Sequence, residues 1–459
     1  MFTHSTSGAS PSLIREARAT LILALPLVAG QVSQMLIGLA DTIMIGRLGV
    51  LPLAASTFAN TVIHLPLMFG MGMAIAVSIK VSQARGAGDP ATARAALRHG
   101  LYLTLATALL AWAAIPYLRI FRQTEEVVRT VPAYFLLLAV SMVPAMASMA
   151  VKNHADAMNR PWPAFWILLG GVALNVLLNW LLIYGRLGAP ALGLEGAGVA
   201  TLIARGATLA GLLWWCVRAP GLREWIPYHW FRLPEWPALG QLVRIGLPAS
   251  LQILAEVSAF VAATLLIGTI GENALAAHQV AITCAATIFM VPLGVSMALT
   301  VRTGEAWGAR NVGRLRPIAL SGWFLVTSFT LFSAASFAFG NDLIAGVFID
   351  DPQARALAAS LLVIAAAFQF FDAVQIVSAG VLRGLGDVNR PALIAFASYW
   401  LVAIPLSWFL AFPRGHGVQG VWWGITAGLT LSSLLLSARA WRLTRHLPGG
   451  PPHPSTGIV

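Results

Sequence analysis

The chain has 459 residues, 58% of them apolar and only 10% charged, whereas water-soluble domains carry about a quarter charged residues, so a soluble enzyme or binding module is excluded. A formal charge of +12 would suggest a polyanion partner in a soluble protein, but no basic run is interleaved with aromatics, and only Lys80 and Lys152 are lysines. Gly and Pro are scattered, and the two cysteines, Cys216 and Cys284, lie inside apolar runs, which points neither to disorder nor to a disulfide framework.

Apolar stretches of membrane length recur at 18–46, 53–82, 96–118, 130–151, 162–185, 196–217, 242–270, 274–301, 318–348, 356–382, 391–412 and 418–438, each close to the roughly 20 residues that cross a bilayer. The first is too long for a removable signal peptide, contains Asp41, and runs through the turn Gly46–Pro52 into the second. The expected fold class is an all-α membrane protein of twelve transmembrane helices. An even number of spans leaves both termini on one side. Sorting basic residues by loop places 21 on that side and 7 on the other, with Arg205 left midway along the sixth span, a bias that predicts cytoplasmic termini.

The chain repeats itself. Leu25-Pro26 recurs as Leu247-Pro248, an offset of 248 − 26 = 222 that holds to Ala55 and Ala277; Ile45-Gly46 pairs with Ile267-Gly268 and Leu53-Ala54-Ala55 with Leu275-Ala276-Ala277. Further along, Gly70-x-x-Met73-Ala74 is matched to Gly294-x-x-Met297-Ala298, and Asn159-Arg160-Pro161 to Asn389-Arg390-Pro391. Six spans repeating six enter the membrane in the same sense, so the expected architecture is two pseudo-symmetric six-helix lobes related by an axis along the membrane normal, with a cleft between them. The lobes are expected at 1–217 and 241–459, joined by a cytoplasmic linker at 218–240 that is rich in Pro, Trp and Arg and suited to lie as a strap at the interface.

Of the 17 acids, three are left inside spans: Asp41 in the first, Glu256 in the seventh and Asp372 in the tenth. A carboxylate in hydrocarbon costs several kcal/mol and persists for a reason, either a fixed hydrogen-bond partner or an ion or proton site. Around Asp41, Asn175 and Asn179 stand at i,i+4 on one helix face, with Gln34 and Thr201 at span depth; oxygen and amide groups around one carboxylate suit a proton or a small hard cation. In the second half, Glu256 and Asp372 facing one cavity can hold Na+ as a metal site, or carry a proton. Phe368 and Phe371 can offer ring faces to an organic cation, although Phe in an apolar helix more often simply packs. Under the repeat, Glu256 falls opposite Gln34 and Asp41 opposite Ala263, so each lobe keeps an acid at a different depth. Arg205 is read as snorkelling to the cytoplasmic interface in preference to pairing with a carboxylate, and His64 and His278 as packed histidines. No nucleotide-binding loop, metal-spaced His/Cys cluster or serine-nucleophile motif occurs. An enzyme is therefore not expected, and energy would come from an ion gradient.

The segments Asp41-Thr42-Ile43-Met44-Ile45-Gly46, Gly246-Leu247-Pro248 through Glu256 to Ala276-Ala277-His278-Gln279-Val280, and Asp372-Ala373-Val374-Gln375 followed by Leu382-Arg383-Gly384 resemble the multidrug and toxic compound extrusion (MATE) family, in its NorM-like bacterial branch. The resemblance implies a multi-pass exporter of the cytoplasmic (inner) membrane that drives organic cations outward against Na+ or H+. Asp41, Glu256 and Asp372 would match the family's acids. Implied partners are lipophilic organic cations, the coupling cation and the bilayer, with no nucleic acid, no cofactor beyond the coupling ion, and a monomer as the working unit. Two departures stand out: Phe368 replaces a tyrosine that some relatives carry, and Asn179 replaces an aspartate. The alternative within the same broad superfamily is a lipid-linked oligosaccharide flippase, for which a cationic cavity would be expected.

Overall fold

A computed structural model describes residues 13–113 and 125–446. Its helices are α1 (Leu13–Gly46), α2 (Val50–Ala87), α3 (Pro90–Ala113), α4 (Glu125–Ala157), α5 (Pro161–Tyr184), α6 (Gly193–Arg218), α7 (Trp236–Gly268), α8 (Glu272–Gly308), α9 (Val312–Phe339), the short α10 (Asn341–Phe348), α11 (Pro352–Gly384), α12 (Asn389–Phe396), α13 (Ile404–Ala411) and α14 (Gly417–His446). A π-helical stretch, Ala397–Ala403, joins α12 to α13. Among the described residues, 11 helices are long and apolar enough to cross a bilayer. The third expected span runs past α3 into 114–118, outside the described residues. The ninth, expected at 318–348, breaks at Gly340, where the α9 cap gives way to α10.

The duplication is visible in the helix ends. With the offset of 222, α1 ends where α7 ends, α2 begins where α8 begins, and α3 begins where α9 begins. Both α2 and α8 are preceded by a glycine at positive φ, Gly49 at 118° and Gly271 at 150°, a backbone conformation that other residues adopt only with strain. Pro26 and Pro248 lie at equivalent places inside α1 and α7.

Packing between the halves is reciprocal. A Cβ on Gly72 in α2 would collide with Ser250 in α7, and one on Gly294 in α8 would collide with Val28 in α1; Gly72 and Gly294 are 222 apart, as are Val28 and Ser250. In the same way Gly86 abuts the carbonyl of Glu305, and Gly308 that of Gln83. These pairs fix the register of α2 on α8 at 222 and correct the match of Gly70 to Gly294: identity alone tolerates a two-residue slip, whereas reciprocal close packing does not.

The hydrogen bonds and ion pairs that join the halves gather toward the end carrying residues 13 and 446. There Glu16 in α1 is bound by Arg302 of α8 and by Arg314 of α9 at 3.1 Å, Thr20 and Ser321 share a 2.9 Å hydrogen bond, Gln83 Nε2 donates to the Gly384 carbonyl at 2.9 Å, and Arg85 and Asn159 both reach Glu305. Toward the other end, beyond Met35 in α1 and before Thr287 in α8, no hydrogen bond joins these two helices among the described residues. The polar contacts between the lobes thus concentrate at the end where α1 begins and α14 ends.

The linker contains a single 3-10 turn, Arg223–Trp225, and α7 begins at Trp236, inside the expected linker range. The strap is pinned to α3: Tyr102 donates to the carbonyls of Trp230 at 2.8 Å and Arg232 at 2.7 Å, and the Glu235 amide donates to His99 Nε2 at 2.9 Å.

Candidate functional site

In the first lobe, α5 sets Asn175 and Asn179 one turn apart on a buried face. Asn179 Nδ2 donates to Asp41 Oδ1 at 2.5 Å and to Asn175 Oδ1 at 3.2 Å, while Asn175 Nδ2 reaches Thr201 Oγ1 on α6 at 3.4 Å. The Asn179 Oδ1 is buried and has no hydrogen-bond partner among the described residues. Asp41 itself is half-buried, so a chain of neutral oxygens and amides leads from α1 through α5 to α6. Gln34 does not join it. That side chain is exposed and makes no hydrogen bond to the cluster, whereas its repeat equivalent, Glu256, does reach into its own lobe.

Arg205 overturns the snorkelling expectation. Its Nη1 donates to Ser141 Oγ at 2.8 Å inside the lobe, and it lies within electrostatic range of both Asp41 and Tyr134. Its carrier helix, α6, extends far enough on both sides of Arg205 that the head group stays at mid-depth, where a polar partner satisfies it.

In the second lobe, Glu256 Oε1 accepts from Gln252 Nε2 at 3.0 Å, one turn back on α7, and from Gln375 Nε2 at 3.1 Å on α11. Gln375 and Tyr399 are hydrogen-bonded at 3.2 Å. Tyr399 belongs to the π-helical stretch, the kind of local irregularity often found at functional positions. Asp372 is half-buried and within electrostatic range of Glu256 and Tyr399. Neither Glu256 nor Asp372 forms an ion pair with a described residue. Two carboxylates, an amide carbonyl and a phenol therefore lie close together with no basic side chain directly on them, a donor set suited to a hard monovalent cation or a proton.

The aromatics separate. Phe368 is 3% exposed, edge-on to Trp422 at 5.5 Å and to Phe260 at 6.0 Å. It is a core residue, which corrects the expectation of a ring face offered to substrate. Phe371 is half-buried beside Phe370 at 5.4 Å. Among the described residues no group of three His, Cys, Asp or Glu side chains forms a metal cluster.

A family described as MatE matches residues 26–181 and again 248–409, two blocks whose starts differ by 222. The chain belongs to the MatE family. Similar curated relatives are the Probable multidrug resistance protein NorM of Rhizobium meliloti (strain 1021), 36% identical over 446 residues and covering 95% of each chain, and that of Bradyrhizobium diazoefficiens, 37% identical over 440 residues and 94% of each. Among solved structures, the outward-facing conformation of a multidrug resistance MATE family transporter of the MOP superfamily superposes with a TM-score of 0.85 at 22% identity, over 96% of this chain and 100% of that one. A MATE in the bent conformation gives 0.86 at 21%, over 95% and 98%. At that identity the superposition establishes the MatE fold, and the family match establishes membership.

Reading sequence alone missed Gln252, Gln375 and Tyr399, which surround Glu256. The signal was present for one of them: Gln375 stands three residues after Asp372, and so on nearly the same face of α11.

Proposed function

We propose that this MatE chain is a secondary multidrug exporter of the cytoplasmic (inner) membrane, with both termini cytoplasmic, exchanging lipophilic organic cations for Na+ or H+. The observation that carries the reading is the Glu256 carboxylate, gripped by two neutral amides and neighboured by Asp372 without a basic partner in ion-pair distance. Two half-buried carboxylates with no base in ion-pair contact attract cations more strongly than they would in water, because Coulomb energy scales inversely with the effective dielectric. Glu256 and Asp372 bind the coupling cation, and Asp41, backed by Asn179, Asn175 and Thr201, serves as a second protonatable or substrate-linked acid. Entry of the coupling cation neutralises the attraction and the drug leaves. The lobes alternate by rocking about the seal. The curated relatives carry the name multidrug resistance protein, which supports the substrate class. A flippase for anionic lipid-linked sugars is disfavoured, since three acids line the two lobes and would repel phosphate.

The test is transport of an ethidium-type cation in proteoliposomes, run separately under a Na+ gradient and a pH gradient. Uptake or efflux driven by one of these is the expected result. Glu256→Gln and Asp372→Asn, inserted at normal level, should abolish it; wild-type rates from both variants would end the mechanism.

A further inference from the structure

Helix α3 carries Arg94, Arg98 and Tyr102 at steps of four, a spacing that lines them up along one face. The strap between α6 and α7 hangs on that stripe. Arg94 Nη1 donates to the Glu224 carbonyl at 3.1 Å, and its guanidinium lies over the Tyr228 ring at 4.8 Å. The Tyr102 hydroxyl binds the carbonyls of Trp230 and Arg232, and the chain then returns to Arg98, which pairs with Glu235 at 2.7 Å. At 1.5 Å per residue, Tyr102 lies about 12 Å further along α3 than Arg94, and Arg98 about 6 Å. Helix α3 begins just after Arg85, which pairs with Glu305 at the end where α1 begins and α14 ends. The strap therefore descends along the first lobe from that end, turns at Phe231, and climbs back before α7 begins.

The carbonyls on either side of Phe231 both turn to one hydroxyl, and the side chains at the tip are left facing outward. Phe231 is 97% exposed and Leu233 84%, with Trp236 also exposed where α7 starts. Single exposed apolar residues are ordinary, but these three stand within six residues of a segment tied between two bilayer-length helices. Between Phe231 and Leu233, Arg232 is exposed and forms no ion pair with a described residue, and the same holds for Arg223. The acids of the strap are already engaged: Glu235 by Arg98, and Glu224 by the Trp225 indole at 3.1 Å. Tyr228, His229, Trp230, Phe231 and Arg232 border an open hollow of about 750 Å³, within the size range of small-molecule sites.

We propose that the tip of the strap, residues 228–233, binds one anionic phospholipid from the leaflet on that side. The headgroup phosphate takes the Arg232 guanidinium, whose planar fork of donors matches phosphate oxygens. Phe231 and Leu233 lie along the upper part of the acyl chains, the depth at which exposed aromatics are stable in a bilayer. Charge selects the headgroup: Arg94, Arg98, Arg218, Arg223 and Arg232 face only Glu224 and Glu235 along the strap and its α3 stripe, so a headgroup carrying an ammonium meets an excess of like charge, whereas an anionic one is attracted. A lipid fits better than a free phosphate because a soluble anion would leave Phe231 and Leu233 in water. The site shares no residue with Glu256 and Asp372, so it stands or falls independently of the exchange reading.

Native mass spectrometry of the full chain, released from detergent with equal amounts of dioleoyl phosphatidylglycerol and dioleoyl phosphatidylcholine, measures the preference of the first lipid bound. The expected result is an excess of the phosphatidylglycerol adduct that falls about fivefold for each arginine removed in Arg223→Gln and Arg232→Gln. Phe231→Ser with Leu233→Ser should weaken both adducts and leave their ratio in place. Arg47→Gln with Arg186→Gln, exposed arginines at the opposite end, should change nothing, and millimolar glycerol phosphate should not displace the lipid. The site is refuted by a native chain without the preference, by a preference that survives loss of Arg223 and Arg232, or by one that the opposite-end pair lowers equally. Displacement by glycerol phosphate would show a soluble-anion site and refute the lipid. A second measurement needs no variant: hydrogen exchange of the native chain in nanodiscs should slow at 228–233 when phosphatidylglycerol replaces phosphatidylcholine, and unchanged exchange there overturns the proposal.

Discussion

Ser82 in α2 packs directly against Gly304 in α8, the residue 222 positions further along. Two repeat equivalents touch, so the pseudo-two-fold axis passes between them. The helices that cross there are the second of each lobe, and they meet through glycines on both sides of the axis: Gly72, Gly86, Gly294 and Gly308 each face backbone or side chain of the other half. A crossing this close is a fulcrum, because any motion of one lobe against the other must pivot or separate where the backbones are nearest.

Gly308→Val should therefore wedge the seal. Its Cβ would fall onto the Gln83 carbonyl, which is backbone and cannot swing aside. Overpacking of this kind costs about 1–3 kcal/mol. The purified variant should melt at lower temperature, and a reporter thiol at Ser82→Cys should react faster with a water-soluble maleimide. Gly170→Ala, where a Cβ meets nothing within 4 Å, serves as the neutral control. Equal melting and labelling for both variants would count against a close-packed fulcrum.

Glu16 is the electrostatic counterpart. It is 3% exposed and bound by Arg302 and Arg314 from the opposite lobe. Glu16→Gln leaves Arg302 buried without its counter-charge, a loss of about 3–5 kcal/mol for a buried pair. The variant should lose thermal stability, and removing both charges with Glu16→Gln and Arg302→Met should recover part of it. A double variant no more stable than Glu16→Gln alone would show that the pair contributes little to the seal.

The spans were legible from the sequence because hydrocarbon imposes one rule, a long apolar run, and the repeat was legible because helix ends and glycines recur at a fixed offset. What escaped was polar content at span ends. Glu16 and Asp156 read as loop-end acids, yet α1 begins at Leu13 and α4 runs to Ala157, so both are carried into the inter-lobe contact and buried. Arg383, one residue from the end of α11, is buried for the same reason. Side-chain depth was also hidden: Phe368 and Phe371 are three apart on one helix, yet Phe368 lies fully inside the core against Trp422 while Phe371 packs half-buried on the margin of the same core.

Phe368→Ala measures that distinction. A buried phenylalanine cut to alanine loses about 3–5 kcal/mol of packing, and Phe368 is wedged between Phe260 and Trp422. Thermal stability should fall clearly while the relative rates for two organic cations of different size stay within about twofold of each other. A changed preference among cations with an unchanged melting temperature would instead place the ring at the substrate.

Asn179→Leu and Gln34→Leu form the sharpest pair for the first lobe. The sequence places both near Asp41, but only Asn179 donates to it, at 2.5 Å, whereas Gln34, two turns back on α1, is exposed and makes no hydrogen bond to it. A hydrogen bond to a charged group contributes about 1.5–3 kcal/mol, and leucine fills a similar volume without a donor or an oxygen. If Asp41 and its amide chain hold a cation during the cycle, Asn179→Leu should raise the Na+ concentration for half-maximal ethidium efflux by about tenfold or more, since each factor of ten is about 1.4 kcal/mol. Gln34→Leu should leave that concentration unchanged. Initial efflux rates across a Na+ series, in the same proteoliposomes for both variants, decide the matter: equal shifts would mean that exposure on α1, not the Asn179 contact, governs the site, and no shift in either would confine cation binding to the second lobe.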